Sequence, residues 1–340
     1  MQGPIGISEY MADCLLAPKS GYYNLANTIG KKGDFITAPE ISQIFGELLG
    51  LTIVDYWQKS LKPKLPILAD LGGGNGTMLK DALRAINHVD KNLIDIIQPI
   101  FVESSSKLIE KQKKSVPNSK SYKEISEIPK GFLMICANEF FDALPVHQFI
   151  KINKKWHERL VDVDTNNNLK FVYDNKPSIY EEIFPSYLKN NKIIEFCPAA
   201  INMISSLTNR IKQSGGIAII IDYAFNKNDI YGSLQAVKNH KYIDPLTDPG
   251  NSDLSTKVNF SVISDVAKDI GANVYGPIKQ KILLKNLGIE IRCQQLIKNN
   301  PKLKNKIIRE YDRLTSNSEM GNLFEAIAIT PKDSSRPSGF

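Results

Sequence analysis

The sequence predicts an α/β fold in which a mostly parallel sheet is covered by helices on both faces, preceded by a helical cap and interrupted by a β-rich insertion. Two observations lead there. Apolar runs of strand length, Pro66–Leu71, Ile96–Val102, Phe132–Ala137 and Ile217–Ile221, alternate with stretches of helical period, the pattern of strands buried between helices. From Pro145 to Tyr173 the pattern changes to two-residue alternation in three segments separated by Asn, Asp and Lys clusters, as in hairpins. At 340 residues the chain is long enough for one large decorated domain or two smaller ones.

Each element has its own warrant. Ile7–Leu16 and Ile41–Trp57 place apolar residues at i, i+3 and i+4 spacing and read as helices joined by the Gly/Pro-punctuated loop Gly30–Pro39. Pro66–Leu71 is a strand, followed by the glycine run Gly72–Gly76 and a helix over Thr77–Ile86. Ile96–Val102 is a second strand ending at Glu103, with a helix over Ser105–Lys114, and Phe132–Ala137 is a third strand. Gln148–Ile152, Trp156–Val163 and Leu169–Tyr173 are the hairpin strands. The α/β pattern resumes with a helix over Ala199–Gln213, the strand Ile217–Ile221 ending in Asp222, and a helix over Ser261–Ile270. Leu323–Thr330 alternates around Phe324, Ala326 and Ala328 as an edge strand would. The organisation expected is a helical cap over 1–60, a core over 61–144 and 198–332, a β-rich insertion over 145–197 and a tail over 333–340.

Composition excludes several function classes. The 43 Lys+Arg and 36 Asp+Glu give a net charge of +7, but 36 of the basic residues are Lys and only 7 are Arg. Phosphate and base readers are chiefly Arg, so a drift toward Lys, Asn and Ile accounts for the charge and nucleic acid is not an expected partner. The most apolar run, Gly216–Ile221, is far too short to span a bilayer. Met1-Gln2-Gly3-Pro4 opens no secretory signal and no Arg-rich leader. Cys14, Cys136, Cys197 and Cys293 stand far apart, as do His88, His147, His157 and His240, with no metal-ligand spacing. A cytoplasmic protein without disulfides, metal or membrane span is the expectation.

The first chemical motif is Asp70-Leu71-Gly72-Gly73-Gly74-Asn75-Gly76-Thr77. Glycines between a strand and a helix allow close backbone approach to a ligand. The spacing is G-x-G-x-G: Thr77 stands where the dinucleotide motif has its third glycine, and no Lys-Ser/Thr follows as in a phosphate-binding loop. Asp70 would repel a pyrophosphate and attract a cation, such as the amino group of S-adenosylmethionine. Glu103, at the next strand end, suits a ribose diol. An ordinary strand–helix turn with solvated carboxylates is the alternative, and the two acidic strand ends together favour the adenosylmethionine site.

A third strand end, Asn138-Glu139-Phe140-Phe141-Asp142, sets two carboxylates and an amide around two aromatics, where the ligand crevice of an open α/β sheet lies. Phe141 reads as core and Glu139 as facing the crevice. The stretches Ser233–His240 and Asp244–Gly250 are long and polar and read as a functional loop, with His240 either a base or a structural residue.

At these residues the chain resembles a known family. Gly33–Leu48, Asn138–Pro145, Ile221-Asp222-Tyr223, Leu234–His240, Asp244–Gly250 and Met320–Phe324 together resemble MidA-like proteins from about Gly3 to Thr330. That family includes the mitochondrial assembly factor for respiratory complex I that methylates an arginine. The resemblance implies a class I (Rossmann-like) methyltransferase fold, a seven-stranded sheet with an antiparallel last hairpin, and S-adenosyl-L-methionine as methyl donor. It further implies ω-N-methylation of an arginine on the 49-kDa-type subunit of NADH:ubiquinone oxidoreductase. Gly73 stands where the family usually has Pro, Asp70 where it has Glu, and Ala224 ends the DYG-type block.

Asp70, Gly72, Gly73, Gly74, Gly76, Glu103, Asn138, Thr37 and Pro39 are then the expected cofactor residues. The Thr37–Gln43 block either closes over the cofactor or serves packing alone. Glu139 and Asp142, with Asp222 nearby, are expected to clamp a guanidinium bidentately, and His240 to accept a proton. The expected partner is a protein substrate, with a homodimer as a further option. Rival readings are a cofactor-binding assembly protein with little catalysis and a methyltransferase acting on another protein or a small molecule; the glycine spacing and Asp70 disfavour a nicotinamide oxidoreductase. Gly74→Val is expected to abolish adenosylmethionine binding by filling the space beside the backbone, and calorimetry showing near-normal affinity would refute that placement.

Overall fold

Unbroken runs of buried aliphatic residues decide the centre of the structure. In a computed structural model that describes residues 3–18, 20–25, 30, 33, 36–184, 193–226 and 231–340, one mixed sheet has seven strands, numbered here in chain order. They are β1 (Pro66–Leu71), β2 (Gln98–Val102), β3 (Lys120–Tyr122), β4 (Phe132–Asn138), β5 (Gly216–Tyr223), β6 (Asn273–Lys279) and β7 (Phe324–Thr330). Their order across the sheet is β6-β7-β5-β4-β1-β2-β3. Every residue of β1 and β4 is buried, as strands covered on both faces require. β1 to β5 run parallel, whereas β7 is antiparallel to both β5 and β6. The direction of strand succession reverses between β1 and β4, so their carboxyl ends open onto the crevice of the fold.

One face of the sheet is covered by the helices Gln43–Lys59, Thr77–Val89 and the C-terminal helices, the other by Pro198–Ser214 and Phe260–Asp269. The first two helices approach most closely where Gly46 and Gly50 carry no side chain. A Cβ on Gly46 would lie 2.8 Å from Asp81 Cβ and Met78 O, and one on Gly50 would lie 2.6 Å from Ala82 O. Between the same helices Glu47 is buried and ion-paired, receiving Arg84 at 2.8 Å and Arg292 at 2.8 Å. Burial opposes the Glu47 charge, but the two guanidinium groups win and hold its carboxyl below the ordinary range. This crossing brings the helix after the glycine run against the segment that follows Thr37.

A second sheet is built from Ile5–Gly6, His147–Ile152, Lys155–Val163, Leu169–Tyr173 and Ile193–Phe196. Helix Ile7–Leu16 packs there, on Val146, Val161 and Leu254, while helix Gln43–Lys59 packs on the main sheet. Residues 7–16 and 43–59, read from the sequence as one cap, therefore serve different sheets. Asp34 and Phe35, inside the Gly33–Leu48 block, lie outside the described residues, as does part of the Gly30–Pro39 loop.

Two expectations change. Phe324–Thr330 is not an edge strand: it lies between β5 and β6. Its outer neighbour went unread because Gly276-Pro277 interrupts β6, where the pairing register shifts between Tyr275 and Ile278 and a proline has no N–H for the ladder. The polar stretch after β5 is not simply a loop either. Gln235–Lys238, Lys241–Ile243 and Asp253–Ser255 form a three-stranded antiparallel sheet.

Gly50→Ala places a methyl group against backbone on the facing helix, and overpacking of that kind costs about 1–3 kcal/mol. The expected result is a lower urea midpoint with an unchanged slope; an unchanged midpoint would show that the two helices separate freely.

Candidate active site

The glycine run leaves β1 by a path that side chains would block. Gly72 has φ +63° and a Cβ there would lie 2.5 Å from the Phe140 ring. At Gly73 a Cβ would lie 2.7 Å from both Asp70 Oδ2 and the Phe101 ring, and Gly74 has φ +51°. The backbone so shaped lines a cavity of about 910 Å³ that also touches Asp70, Glu103, Asn138, Thr37 and Pro39. Gly76 is the exception among the predicted glycines. It precedes helix Thr77–Val89 with φ +78°, and a Cβ would meet Ser115 at 3.1 Å and Phe101 at 3.2 Å. Gly76 serves helix packing and does not line the cavity, although Asn75 and Thr77 on either side of it do.

The walls present acceptors without partners. Both carboxylate oxygens of Asp70 are buried with no hydrogen-bond partner, and so is Asn138 Oδ1. Burial first, and then the charge of Glu103, push the Asp70 carboxyl well above the ordinary range. Glu103 is also raised by burial, while its oxygens accept Ser105 N–H at 2.9 Å and Gln112 Nε2 at 3.2 Å. Such a set needs a cation and donors.

The N-terminal block closes another wall and is pinned at both ends. Ala38 N donates to Glu139 Oε1 at 2.9 Å. Glu40, which also lines the cavity, accepts Thr77 Oγ1 at 2.6 Å and Asn75 Nδ2 at 3.2 Å. Sequence reading included Glu40 only within the Thr37–Gln43 block, without a role of its own in the site, and passed over Tyr23 altogether.

Beyond that wall lies a second pocket, about 620 Å³, lined by Glu139, Asp142, Asp253, Tyr23, Tyr223 and Phe324 among others. Glu139 and Tyr23 line both spaces. Glu139 turns with φ +52° directly after β4, accepts Asn138 Nδ2 at 3.0 Å, and is pushed by burial to a pKa of about 7. The Asp142 carboxyl is pushed up by burial and by neighbouring Asp222. Tyr23 Oη donates to Asp253 Oδ1 at 3.0 Å and Ser105 Oγ donates to Tyr23 O at 2.8 Å. Because Tyr23 and Asp253 are 230 positions apart, no local signal could have paired them.

Two predicted catalytic residues stand elsewhere. Asp222 is fully buried and its oxygens are taken: Oδ2 accepts Phe140 N–H at 3.1 Å and Phe141 N–H at 2.8 Å, and Oδ1 accepts Tyr223 N–H at 2.8 Å. It anchors the loop that carries Glu139 and Asp142 and does not line their pocket. His240 is exposed in the turn between Lys238 and Lys241, with φ +59°. It lines no part of either space, because the hairpin that carries it points its turn outward.

Known proteins bear on this geometry. A family described as S-adenosyl-L-methionine-dependent methyltransferase matches residues 48–278. The chain is 36% identical over 360 aligned positions to Protein arginine methyltransferase NDUFAF7, mitochondrial, of Xenopus laevis, covering 97% of this chain and 82% of that protein. It is 36% identical over 361 positions to the Homo sapiens protein of the same name, covering 97% and 80%. A crystal structure of a COG1565 superfamily member from Burkholderia thailandensis, bound to S-adenosyl-homocysteine, superposes with a TM-score of 0.84 at 24% identity, covering 99% of this chain and 90% of that one. At that identity the likeness speaks for the fold. The names of the relatives overturn the cytoplasmic expectation, since they are mitochondrial proteins. Scattered cysteines exclude a disulfide framework but do not distinguish one reducing compartment from another.

The residues fit the cofactor of that family. The unpartnered oxygens of Asp70 and Asn138 match a ligand with a positive sulfonium and ammonium group, and Glu103 retains lone pairs for a ribose diol. An acid whose pKa is raised on folding binds more protons folded than unfolded, so its contribution to stability falls as pH rises from the ordinary carboxylate range. Asp70→Asn removes that contribution. The variant should melt higher than the parent at neutral pH without cofactor, yet bind S-adenosylhomocysteine about tenfold to a hundredfold more weakly for want of a charged hydrogen bond; melting curves and calorimetry read both, and unchanged affinity would exclude Asp70 from the binding set.

Proposed function

The chain belongs to this family of S-adenosyl-L-methionine-dependent methyltransferases, and from that premise we propose that it methylates an arginine side chain of a protein. One observation carries the reading: the cofactor cavity and an acidic, aromatic-walled pocket share Glu139 and Tyr23. Three carboxylates and the rings of Tyr223 and Phe324 suit a guanidinium, which takes bidentate hydrogen bonds in its plane and aromatic faces above it. The names of the relatives agree with that acceptor.

When bound, S-adenosylmethionine supplies an electrophilic methyl group on a sulfonium. The chain's own residues do the rest. Asp70, Asn138, Glu103 and the backbone of Gly72–Gly74 would hold the cofactor, with Thr37 and Pro39 against it. Glu139, Asp142 and Asp253 would accept guanidinium N–H groups and hold the attacking nitrogen at the junction of the two spaces, where positioning contributes most to such a displacement. The nitrogen that gains a methyl group must lose a proton, and ionised Glu139 is placed to take it. Asp222 acts through the backbone it anchors. The 49-kDa-type subunit of NADH:ubiquinone oxidoreductase, implied by the family resemblance, is the first protein substrate to test, with a role in complex I assembly following from it.

The purified protein should transfer labelled methyl groups to an arginine of that subunit, mapped by mass spectrometry; methylation confined to another residue type would overturn the arginine reading. The rate should rise with pH through about 7 as Glu139 ionises. Glu139→Gln should keep S-adenosylhomocysteine affinity, lose about 10²–10⁴-fold in turnover and abolish that rise. An unchanged rate in the variant would remove Glu139 from the chemistry.

A further inference from the structure

The net charge of +7 is not spread over the chain. Residues 279–315 hold seven Lys and three Arg against Glu290, Glu310 and Asp312, which is the whole excess, and the rest of the chain carries 33 residues of each sign. This block contains the helices Gln280–Asn286, Ile289–Asn299 and Lys304–Thr315, which pack on the flank of the main sheet through Leu283, Ile289, Ile307 and Leu314. Two of its three arginines are engaged, Arg292 with Glu47 at 2.8 Å and Arg313 with Glu319 at 4.0 Å. Lysines make up most of the outward charge, with Lys298, Lys302 and Lys304 exposed.

Aliphatic side chains stand among these lysines. Ile291 is 64% exposed and Ile308 41%. Ile291 and Lys298, seven residues apart, share the outer face of one helix, and Lys304 and Ile308, four apart, share a face of the next. A hydrogen bond of 3.0 Å from Tyr311 Oη to Glu290 Oε1 holds the two helices side by side. Tyr311 is the only aromatic residue in the block, and it is half-buried.

The composition of this face selects among polyanionic partners. Single-stranded nucleic acid is bound with stacking aromatics and duplexes are read chiefly by Arg. Protein interfaces enrich Arg and aromatics and deplete Lys. Lysine point charges around exposed aliphatic tips suit an anionic bilayer, whose headgroup layer takes up the aliphatic groups while each lysine adds to the attraction. We propose that the outer face of helices Ile289–Asn299 and Lys304–Thr315 docks the folded protein peripherally on an anionic lipid surface. No residue of these two helices lines the cofactor or the acidic pocket, so the inference stands independently of which acceptor is methylated.

Flotation with lipid vesicles tests it on the full chain. The protein should float with vesicles of equal parts phosphatidylcholine and phosphatidylglycerol, not with phosphatidylcholine alone, and raised salt should release it. Replacing Lys298, Lys302 and Lys304 together by Gln should weaken partitioning about a hundredfold, at about fivefold per lysine, while leaving the S-adenosylhomocysteine melting shift intact as proof of folding. Ile291→Asn with Ile308→Asn, which leaves the charge untouched, should also weaken it. Equal binding to both vesicle types, or no loss in the lysine variant, overturns the proposal. So does displacement by polyglutamate or duplex DNA coupled with indifference to the Ile variants, since that would mark a site for an acidic protein or nucleic acid.

Discussion

Carboxylates gathered, buried or half-buried, at the carboxyl ends of parallel strands are the constraint on which the rest of this structure depends. Asp70 and Asp222 are the next-to-last residues of β1 and β5, Glu103 follows β2, and Glu139 and Asp142 follow β4; Asp70, Glu103 and Asp222 are buried. Burial pushes every one of these carboxyl groups above its ordinary range. A buried carboxylate without a partner is costly, and several together are more so. The fold bears that cost with an extensive aliphatic core on both faces of the sheet. A cationic ligand relieves it, which is why an acidic cluster suits a cofactor that carries a sulfonium and an ammonium group.

Within the cluster the carboxylates divide their work by what they touch. Asp222 accepts backbone N–H groups of Phe140, Phe141 and Tyr223 and is thereby spent on geometry. Asp70 accepts none and remains available to a ligand. Glu139 is intermediate: one oxygen is held by Ala38 N–H and by Asn138, which fixes the side chain at the junction of two spaces without exhausting its accepting capacity. The N-terminal block is therefore part of the site. Its Ala38 amide orients Glu139 and its Glu40 carboxylate orients the glycine loop through Thr77 and Asn75.

Much of this is legible in the sequence. The strand Pro66–Leu71 and the hairpin strand Leu169–Tyr173 fall where the patterning puts them, because a strand buried on both faces must be apolar throughout and a half-exposed one must alternate. The acidic strand ends and the glycine run were legible for a similar reason, since each is a local sequence feature placed by the α/β topology at one edge of the sheet. β6 was not, because Gly276-Pro277 breaks the strand pattern that would reveal it. The helices over 280–315 were not assigned either, and with them went the localisation of the entire net charge. His240 looked functional only because polar residues in a long connection carry no sign of which way a hairpin will turn.

By itself, then, the sequence determined the α/β class, the strands at the centre of the sheet, the glycine loop and the identity of the acids beside it. All of these depend on contacts between near neighbours or on the periodicity of one element. Only the tertiary structure decided which acids line the cavities and which hold backbone, that Tyr23 meets Asp253 across 230 positions, that Gly46 and Gly50 exist to let two helices touch, and that Lys298, Lys302 and Lys304 of a chain of overall charge +7 lie exposed outside both pockets. Those outcomes arise from pairings between distant segments, where side-chain direction and burial, not residue type, set the chemistry.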